Sequence, residues 1–583
     1  MASQSTRFDL PGFTLPLNYN VPRMNMKFHN ALDSEDIIGG YVNRITTTRE
    51  IMMMRVMNSI SDKPKWDRKV FDEEIISKWR KETAESGEDI TAKMMDWIIK
   101  ELQWKAGVFQ ESRMFLAFDP GVVKSDTAIP SELQQALKEG VRPLENVPEV
   151  EKDFHPGSDN KVIDLVHPSL FPVIYGCTHI LPDKVIGRDD CLHNIGLPQL
   201  LPEPQGEIRD SYRRFNSKFN LYSRKFQWMP CDVEFTTDGC RIVSYINNLH
   251  PSENRPLYDV IEKILSRTIP LWNASLTRYN EQRIKYRKVE YLEEAVSVPK
   301  RKDGESEDDF FERCDRLRAK CPVRLPEPGK FKPPEIDRRG KIDLRAMFAE
   351  KGLQVIVKLA NIELTPDKPE YDGGSWHVEG QLNEHICATA IYYYDSENIT
   401  ESTLSFRQRG NQYNMDEINY EQDRHGFLQQ VFGYPEEVDG WNDHNVTQLL
   451  GNVSTREGRL LTFPNTLQHR VSPFSLADRS KPGHRKILAF FLVSPDLRII
   501  SSANIPPQRR DWWREREESI EQLLRKNLPV ELQDMVKKEI GFIPHITMEE
   551  AKKYRLELME ERKAVEPHNK EMFEIDSFSL CEH

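Results

Sequence analysis

Two histidines and one carboxylate are the residues of this chain whose types and spacing suggest the most distinctive chemistry. His377 and Glu379 lie two residues apart within residues 373–380, and His469 follows 92 residues after His377. In a strand, residues i and i+2 point to the same side, so an imidazole nitrogen and a carboxylate oxygen could bind one ion. Three such ligands occupy one face of a six-coordinate iron ion and leave positions open for a cosubstrate and dioxygen. The pattern predicts an iron site in which His377, Glu379 and His469 are the metal ligands and catalytic residues.

An arginine follows the second histidine at a spacing that suits a cosubstrate anchor. Arg485 lies 16 residues beyond His469, which leaves room for a turn and a return strand. Its guanidinium could pair with the distal carboxylate of a 2-oxo acid that chelates the iron. Arg470 and His484 compete for this role, and an ordinary strand-edge arginine in solvent is the alternative for Arg485. The planar guanidinium of Arg485 and its place at the start of a strand favour this residue over Arg470 and His484.

The elements that must position these residues are short strands. Apolar, alternating segments separated by turn residues predict a β-sandwich or barrel, which can bring a distant histidine to His377. The predicted strands cover residues 353–364, 386–394, 404–407, 460–463 and 486–493. Tyr392, Tyr393 and Tyr394 alternate across the second of these, so at least one should face the interior. Tyr393 is the candidate that binds the cosubstrate, with aromatic packing as the alternative.

The remaining sequence divides into regions of different character. We expect residues 1–150 to be mainly helical, and residues 151–345 to be a mixed α/β region ending in a charged, proline-rich linker. Residues 346–510 form the predicted strand-rich core, and residues 511–583 the C-terminal helices. Within the core, residues 408–459 are polar and form either a lid over the substrate or a surface excursion.

Composition excludes several classes of function. The net charge of -12 argues against a nucleic-acid-binding protein. Eight scattered cysteines without a Cys-x-x-Cys pair argue against a zinc ribbon or a dithiol enzyme. Because the sequence shows neither a signal peptide nor an apolar run long enough to span a bilayer, we expect a cytoplasmic protein with reduced thiols and no membrane partner. The sequence carries no signal of oligomeric state.

The residues around the predicted iron site resemble the Fe(II)/2-oxoglutarate-dependent oxygenases, whose motif is His-x-Asp/Glu, a distal His and a following Arg or Lys. More closely, the whole chain resembles a fungal family known only as a domain of unknown function. The family-like segments are residues 167–172, 245–251, 373–384, 392–395, 398–402 and 468–471. The resemblance implies an α+β fold with a double-stranded β-helix (jelly-roll) core and large helical N-terminal and C-terminal elaborations.

The resemblance also implies the cofactors and the reaction. Fe(II) and the cosubstrate 2-oxoglutarate would oxidise a C–H bond of a small molecule or amino-acid-like substrate with dioxygen, giving succinate and CO2. Glu379 departs from the aspartate that most of the superfamily has, although several branches accept glutamate. The jumonji branch also has glutamate, but its lysine on the strand after the ligand pair has no counterpart at residues 391–395.

Two other classes of function remain open on the sequence. A metal-dependent hydrolase or cupin-like enzyme could use the same three ligands, although a cupin usually supplies His-x-His and a nearby Glu. A non-catalytic scaffold that retains the fold and binds a partner is the second alternative. The intact ligand set together with Arg485 favours the oxygenase.

Overall fold

Antiparallel sheets surrounded by helices make up this protein, in agreement with the predicted mixture of helix and strand. The computed structural model describes residues 8–22, 25–33, 44–192, 198–205, 221–279, 283–295, 299–337, 340–410, 418–422, 424–435, 444–539 and 545–576, with Phe578 and Leu580. Within these residues every pair of neighbouring strands is antiparallel.

The helices lie mainly before and after the strand-rich part of the chain. They are α1 (Thr48–Ser61), α2 (Trp66–Lys69), α3 (Glu73–Ala84), α4 (Ala92–Ser112), α5 (Ser131–Glu145), α6 (Arg255–Leu276), α7 (Glu307–Ala319), α8 (Leu344–Phe348), α9 (Phe427–Phe432), α10 (Arg514–Asn527), α11 (Val530–Glu539) and α12 (Met548–Glu574). Short 3-10 turns cover Glu149–Glu151, Glu293–Ala295, Leu382–Glu384 and Arg510–Trp513.

The strands extend over most of the chain. They are β1 (Phe115–Phe118), β2 (Val122–Ser125), β3 (Val162–Val166), β4 (Val173–Ile174), β5 (His179–Ile180), β6 (Gln199–Leu200), β7 (Phe226–Gln227), β8 (Cys231–Thr236), β9 (Gly239–Ile242), β10 (Leu353–Leu364), β11 (Glu370–Tyr371), β12 (Ile386–Glu397), β13 (Thr403–Arg409), β14 (His444–Asn445), β15 (Thr447–Ser454), β16 (Leu460–Pro464), β17 (Gln468–Val471), β18 (Phe474–Ser475), β19 (Gly483–Val493) and β20 (Ile575–Asp576).

The main sheet has nine strands and separates two apolar layers. Its order is β1-β2-β16-β12-β19-β10-β8-β9, and β3 pairs with β10 beside β8. Because side chains alternate along a strand, Val355 and Val357 of β10 face one layer and Ile356 faces the other. The first layer packs against α5 and α6, so these helices cover the outer face of the sheet.

A second sheet of three strands faces the inner side of the main sheet. Its order is β15-β13-β17. Leu404 and Phe406 of β13 belong to the same apolar layer as Phe463 and Phe491 of the main sheet. The ring centroids of Phe406 and Phe463 are 5.0 Å apart. The two sheets therefore enclose one shared layer, and strand pairing among the described residues closes neither of them into a barrel.

The structure confirms the five predicted core strands and extends several of them. It also adds strands that the sequence analysis did not expect in this sheet. The hairpin β1–β2 comes from the region predicted to be mainly helical, and it pairs with β16 through β2. The stretch predicted as a proline-rich linker contains α7. A partner far away in sequence decides the sheet that the hairpin joins. The helix α7 instead has local helix signals, with Ser306 as its N-cap and acidic residues in its first turn.

Two predictions concern segments away from the shared layer. Phe427 and Phe432 of α9 are buried in a separate apolar cluster with Val289 and Val323. This part of residues 408–459 packs into that cluster, and the choice between a lid and a surface excursion stays a prediction. Residues 411–417, 423 and 436–443 lie outside the described residues. None of the helices in the described ranges combines the length and the apolar character that a bilayer crossing requires.

Candidate metal centre

The three predicted ligands converge at the edge of the layer between the two sheets. His377 and His469 pair through their backbones, with N–O distances of 3.2 and 3.0 Å, and their ring centroids are 4.3 Å apart. Glu379 Oε1 lies 3.3 Å from His469 Nε2 and 3.9 Å from His377 Nε2. One ligand atom from each residue lies within 4.8 Å of the others. A single ion could contact all three.

His377 and Glu379 do not lie in a regular strand, which differs from the expectation. The backbone bends at Glu379, and among the described residues the bridge between His377 and His469 is the only β-bridge that joins this segment to β17. Gly373 and Gly380 bracket the segment with φ values of 86° and 71°, which favour glycine. A Cβ on Gly380 would lie 2.6 Å from Glu384 Oε2. The two glycines let the chain turn in and out of the site.

Asn465 holds the backbone of Glu379 where strand pairing is missing. Its side-chain oxygen accepts a hydrogen bond from the Glu379 N–H at 2.9 Å, and its amide donates to the Glu379 carbonyl at 2.9 Å. The same amide donates to the Ile386 carbonyl at 3.0 Å. The residue is completely buried. The sequence contains no indication of this positioning role.

Replacing Asn465 by alanine should weaken metal binding without removing a ligand. The variant loses all three hydrogen bonds and frees the Glu379 backbone, so we expect the Fe(II) affinity to fall by about 10- to 100-fold, as for other residues that orient ligands. Competition titration with a metal indicator checks this. Asn146→Ala, at an exposed helix end, is the matched control. Unchanged Fe(II) affinity in a folded Asn465→Ala protein would contradict the positioning role.

The protonation states around the three residues suit a cation. Burial raises the pKa of Glu379, but the contact with His469 and the nearby His377 outweigh it and lower this pKa to about 2. Burial and the neighbouring His377 lower the pKa of His469. A carboxylate and a neutral imidazole are the forms that bind a metal ion. The His469 side chain is 3% exposed and that of His377 is 41% exposed, so the site opens to solvent on the His377 side.

The surroundings of Nδ1 in each histidine bear on which ring nitrogen can bind an ion. His377 Nδ1 lies 2.9 Å from the Ser375 carbonyl. Because a carbonyl only accepts, Nδ1 carries the proton and Nε2 presents its lone pair toward Glu379. His469 Nδ1 is buried and has no hydrogen-bond partner among the described residues, and the ring packs 4.7 Å from that of Phe463.

Arg485 is a buried cation without an acidic partner in the described part of the chain. It is 2% exposed and donates a hydrogen bond to Ser402 Oγ. Its guanidinium lies 4.7 Å from the ring of Phe474 and 5.6 Å from that of Tyr393, while its Nε has no hydrogen-bond partner in the described ranges. Burial lowers its pKa. A buried guanidinium with unused donors is suited to bind an anionic group of a ligand.

The competing residues for this role have other partners. Arg470 is exposed, and its guanidinium lies 4.7 Å from the ring of Trp376. His484 Nε2 lies 3.0 Å from Asp395 Oδ2. The geometry therefore favours Arg485 over both alternatives.

Tyr392, Tyr393 and Tyr394 face alternate sides of the main sheet, as consecutive residues of a strand do. Tyr393 faces the shared layer near Arg485, whereas Tyr392 and Tyr394 face the helices. Burial raises the pKa of Tyr393 to about 12, so its hydroxyl keeps its proton at neutral pH and can donate a hydrogen bond. Its role in cosubstrate binding stays a prediction.

A search of curated proteins finds no match to this chain. Two matching solved structures are described as IDO from Bacillus thuringiensis and as the Fe(II)/(alpha)ketoglutarate-dependent dioxygenase TqaL. The first has 11% identity and a TM-score of 0.15, covering 26% of this chain and 52% of that one. The second has 19% identity and a TM-score of 0.14, covering 24% of this chain and 42% of that one. TM-scores this low support no conclusion about fold or function.

One protein family matches most of the length of this chain. The family described as "Protein of unknown function (DUF4246)" matches residues 92–516. Its N-terminal domain, described as "Domain of unknown function DUF4246, N-terminal", matches residues 10–82. The two matches together show that this chain belongs to the DUF4246 family.

Proposed function

We propose that the protein is a non-haem Fe(II)- and 2-oxoglutarate-dependent oxygenase. Its substrate would be a small molecule or amino-acid-like compound that is oxidised at a C–H bond, with succinate and CO2 as coproducts. The observation that carries the proposal is the convergence of His377, Glu379 and His469 to within 4.8 Å. Two imidazoles and one carboxylate on one side of an ion form the ligand set of non-haem Fe(II) oxygenases.

Arg485 supports 2-oxoglutarate as the cosubstrate. The residue lacks an acidic partner among the described residues although it is almost fully buried. Such a charge costs folding free energy unless a ligand compensates it. Val471, two residues after His469, packs against both the shared layer and the cluster that contains Phe474. This contact links the surroundings of Arg485 to the strand that carries the distal histidine.

The strand connections support a double-stranded β-helix as the core. After β10 the chain pairs with β17 at His377, returns to the main sheet as β12 and crosses to the small sheet as β13 and β15. It then alternates through β16, β17 and β19. We propose residues 346–510 as the oxygenase core, with residues 1–150, 151–345 and 511–583 as elaborations around it.

Several residues and a buried aromatic ring would have separate roles in binding the ion and the cosubstrate. The iron and the cosubstrate, when bound, supply the oxidising chemistry. His377, Glu379 and His469 hold the ion, and Asn465 fixes the backbone that carries Glu379. Arg485 orients the cosubstrate through its distal carboxylate, with Tyr393 beside it. Phe463 shields the inner side of His469 from water.

Anaerobic titration tests this function directly. Fe(II) and 2-oxoglutarate, added together to the metal-free protein, should produce the weak visible charge-transfer band of the chelate, which neither should produce alone. Exposure to air should then convert 2-oxoglutarate into succinate, measured by mass spectrometry. Absence of both signals, or stoichiometric zinc in protein purified without added metal, would favour the hydrolase alternative.

A further inference from the structure

The C-terminal helix α12 crosses from the main sheet to the small sheet. Near its start, Arg555 pairs with Asp164 of β3, with Nη1 3.4 Å from Oδ2. Three residues later, Leu558 is buried in the apolar layer that the two sheets share. At the end of the helix, Glu574 pairs with Arg407 of β13. The helix therefore packs along the layer at whose edge the candidate metal centre lies.

An ion pair joins the middle of this helix to the segment that follows Glu379. Arg562 Nη2 donates a hydrogen bond to Oε1 of Glu384, whose side chain is completely buried. The same oxygen accepts a hydrogen bond from the Trp228 N–H at 2.7 Å, and Oε2 accepts one from the Gln381 N–H at 2.8 Å. Arg562 supplies the positive charge that compensates this buried carboxylate.

Glu384 in turn fixes the backbone just beyond Glu379. Its hydrogen bond to Gln381 acts two residues after Glu379. A Cβ on Gly380 would lie 2.6 Å from Glu384 Oε2, so the carboxylate packs directly against the backbone of that glycine. Asn465 fixes the backbone of Glu379 itself. The ligand segment is therefore held from two sides, by Asn465 and by the ion pair.

An aromatic ring fixes the position of Arg562. Its guanidinium carbon lies 3.9 Å from the centre of the Trp228 ring, which stacks on Phe491 of β19 at a centroid distance of 5.8 Å. The Trp228 Nε1–H donates to Ser169 Oγ at 3.0 Å, which fixes the indole in the layer. A planar guanidinium can stack on a ring and bind a carboxylate at once, which an ammonium does less well. These contacts predict a requirement for arginine at position 562.

We propose that Arg562 is a positioning residue of the candidate metal centre, which acts through Glu384 on the backbone that carries Glu379. The inference rests on the proposed function and adds that the metal centre depends on a helix outside residues 346–510. Without Arg562, the Glu384 carboxylate would be a buried charge without a cation, and it would move toward water. Gly380 and Gln381 would move with it, so Glu379 would lose its fixed place beside the two histidines.

Metal affinities of matched variants test this coupling. Under argon, competition titration with a metal indicator measures the Fe(II) and Zn(II) affinities of Arg562→Met, Glu384→Gln and the double variant. We expect each single variant to bind Fe(II) about 10-fold more weakly than the unmodified protein. The double variant should lose no more affinity than one single variant, because the two residues act through one contact. Arg562→Lys keeps the charge without the planar fork and should recover only part of the affinity.

Arg555→Met is the control for the loss of a buried ion pair in the same helix. The Arg555 side chain is 4% exposed, and its Nη1 lies 2.7 Å from Asp153 Oδ2. Its replacement should lower the free energy of unfolding, as Arg562→Met does, but leave the Fe(II) affinity unchanged. Urea unfolding followed by circular dichroism verifies that each variant is folded and compares their stabilities. If Arg555→Met weakens Fe(II) binding as much as Arg562→Met, the effect is one of general stability and the inference is overturned.

Three further outcomes separate this inference from the proposed function. If the charge-transfer band with 2-oxoglutarate forms and folded Arg562→Met binds Fe(II) like the unmodified protein, Arg562 has no positioning role and the oxygenase stands. If the band does not form but Arg562→Met and Glu384→Gln weaken Zn(II) binding about 10-fold, the oxygenase proposal fails and the positioning role stands. Additive losses in the double variant would overturn the inference, because they would show that the two residues act independently.

Discussion

Replacement of Glu379 by glutamine should abolish the conversion of 2-oxoglutarate into succinate. The amide keeps nearly the same shape but loses the negative charge that the low pKa of Glu379 maintains at neutral pH. Because residues that only orient ligands contribute about 10- to 100-fold to metal affinity, loss of a charged ligand should weaken Fe(II) binding by more than about 100-fold. Fe(II) titration and succinate measurement by mass spectrometry check the two effects independently.

The control for this variant is Glu397→Gln, which neutralises an exposed glutamate on β12. It should bind Fe(II) and form succinate like the unmodified protein. A folded Glu379→Gln protein that retains both properties would remove Glu379 from the ligand set. Retained Fe(II) binding with loss of succinate would instead assign Glu379 to a step after metal binding.

Replacement of Arg485 by methionine should weaken the binding of 2-oxoglutarate and leave the stability of the fold nearly unchanged. Loss of hydrogen bonds to a charged ligand group costs about 1.5–3 kcal/mol, so the affinity for 2-oxoglutarate should fall by about 10- to 150-fold. The free energy of unfolding of the metal-free protein should change by less than about 1 kcal/mol, because removal of an uncompensated buried charge offsets the lost contacts with Ser402 and the rings. If Arg485 were instead one partner of a buried ion pair, its replacement would lower the free energy of unfolding by about 3–5 kcal/mol.

Two variants test whether the position or only the charge matters. Arg485→Lys keeps the charge without the planar fork, and we expect an affinity between those of the methionine variant and the unmodified protein. Arg470→Met removes the exposed competitor and should leave 2-oxoglutarate binding unchanged. If Arg470→Met loses binding and Arg485→Met does not, the anchor is Arg470. Urea unfolding followed by circular dichroism measures stability in all three.

The core strands were predictable because their side chains are buried on both faces. The segment 353–364 shows the alternation typical of a strand, and β10 has the predicted bounds. The hairpin β1–β2 was not predicted in this sheet, since strands of four residues carry little pattern and their partner, β16, lies more than 300 residues away. Local sequence indicates that a strand forms, but long-range pairing decides which sheet it joins.

The proximity of His377, Glu379 and His469 was predictable from residue types and spacing, although their role as ligands stays a proposal. The interactions of Asn465 were not predictable, because its partners at Glu379 and Ile386 lie about 80 residues away in sequence.

The position of β19 in the main sheet sets the order in which the protein can assemble during synthesis. This strand lies between β12 and β10, yet it comes last in the chain among the nine strands of the sheet. The facing edges of β12 and β10 therefore stay unpaired until residues 483–493 have left the ribosome. Contacts over such distances close slowly and leave the chain open to aggregation meanwhile. Because β19 also carries Arg485, completion of the sheet and burial of the Arg485 guanidinium are a single folding event.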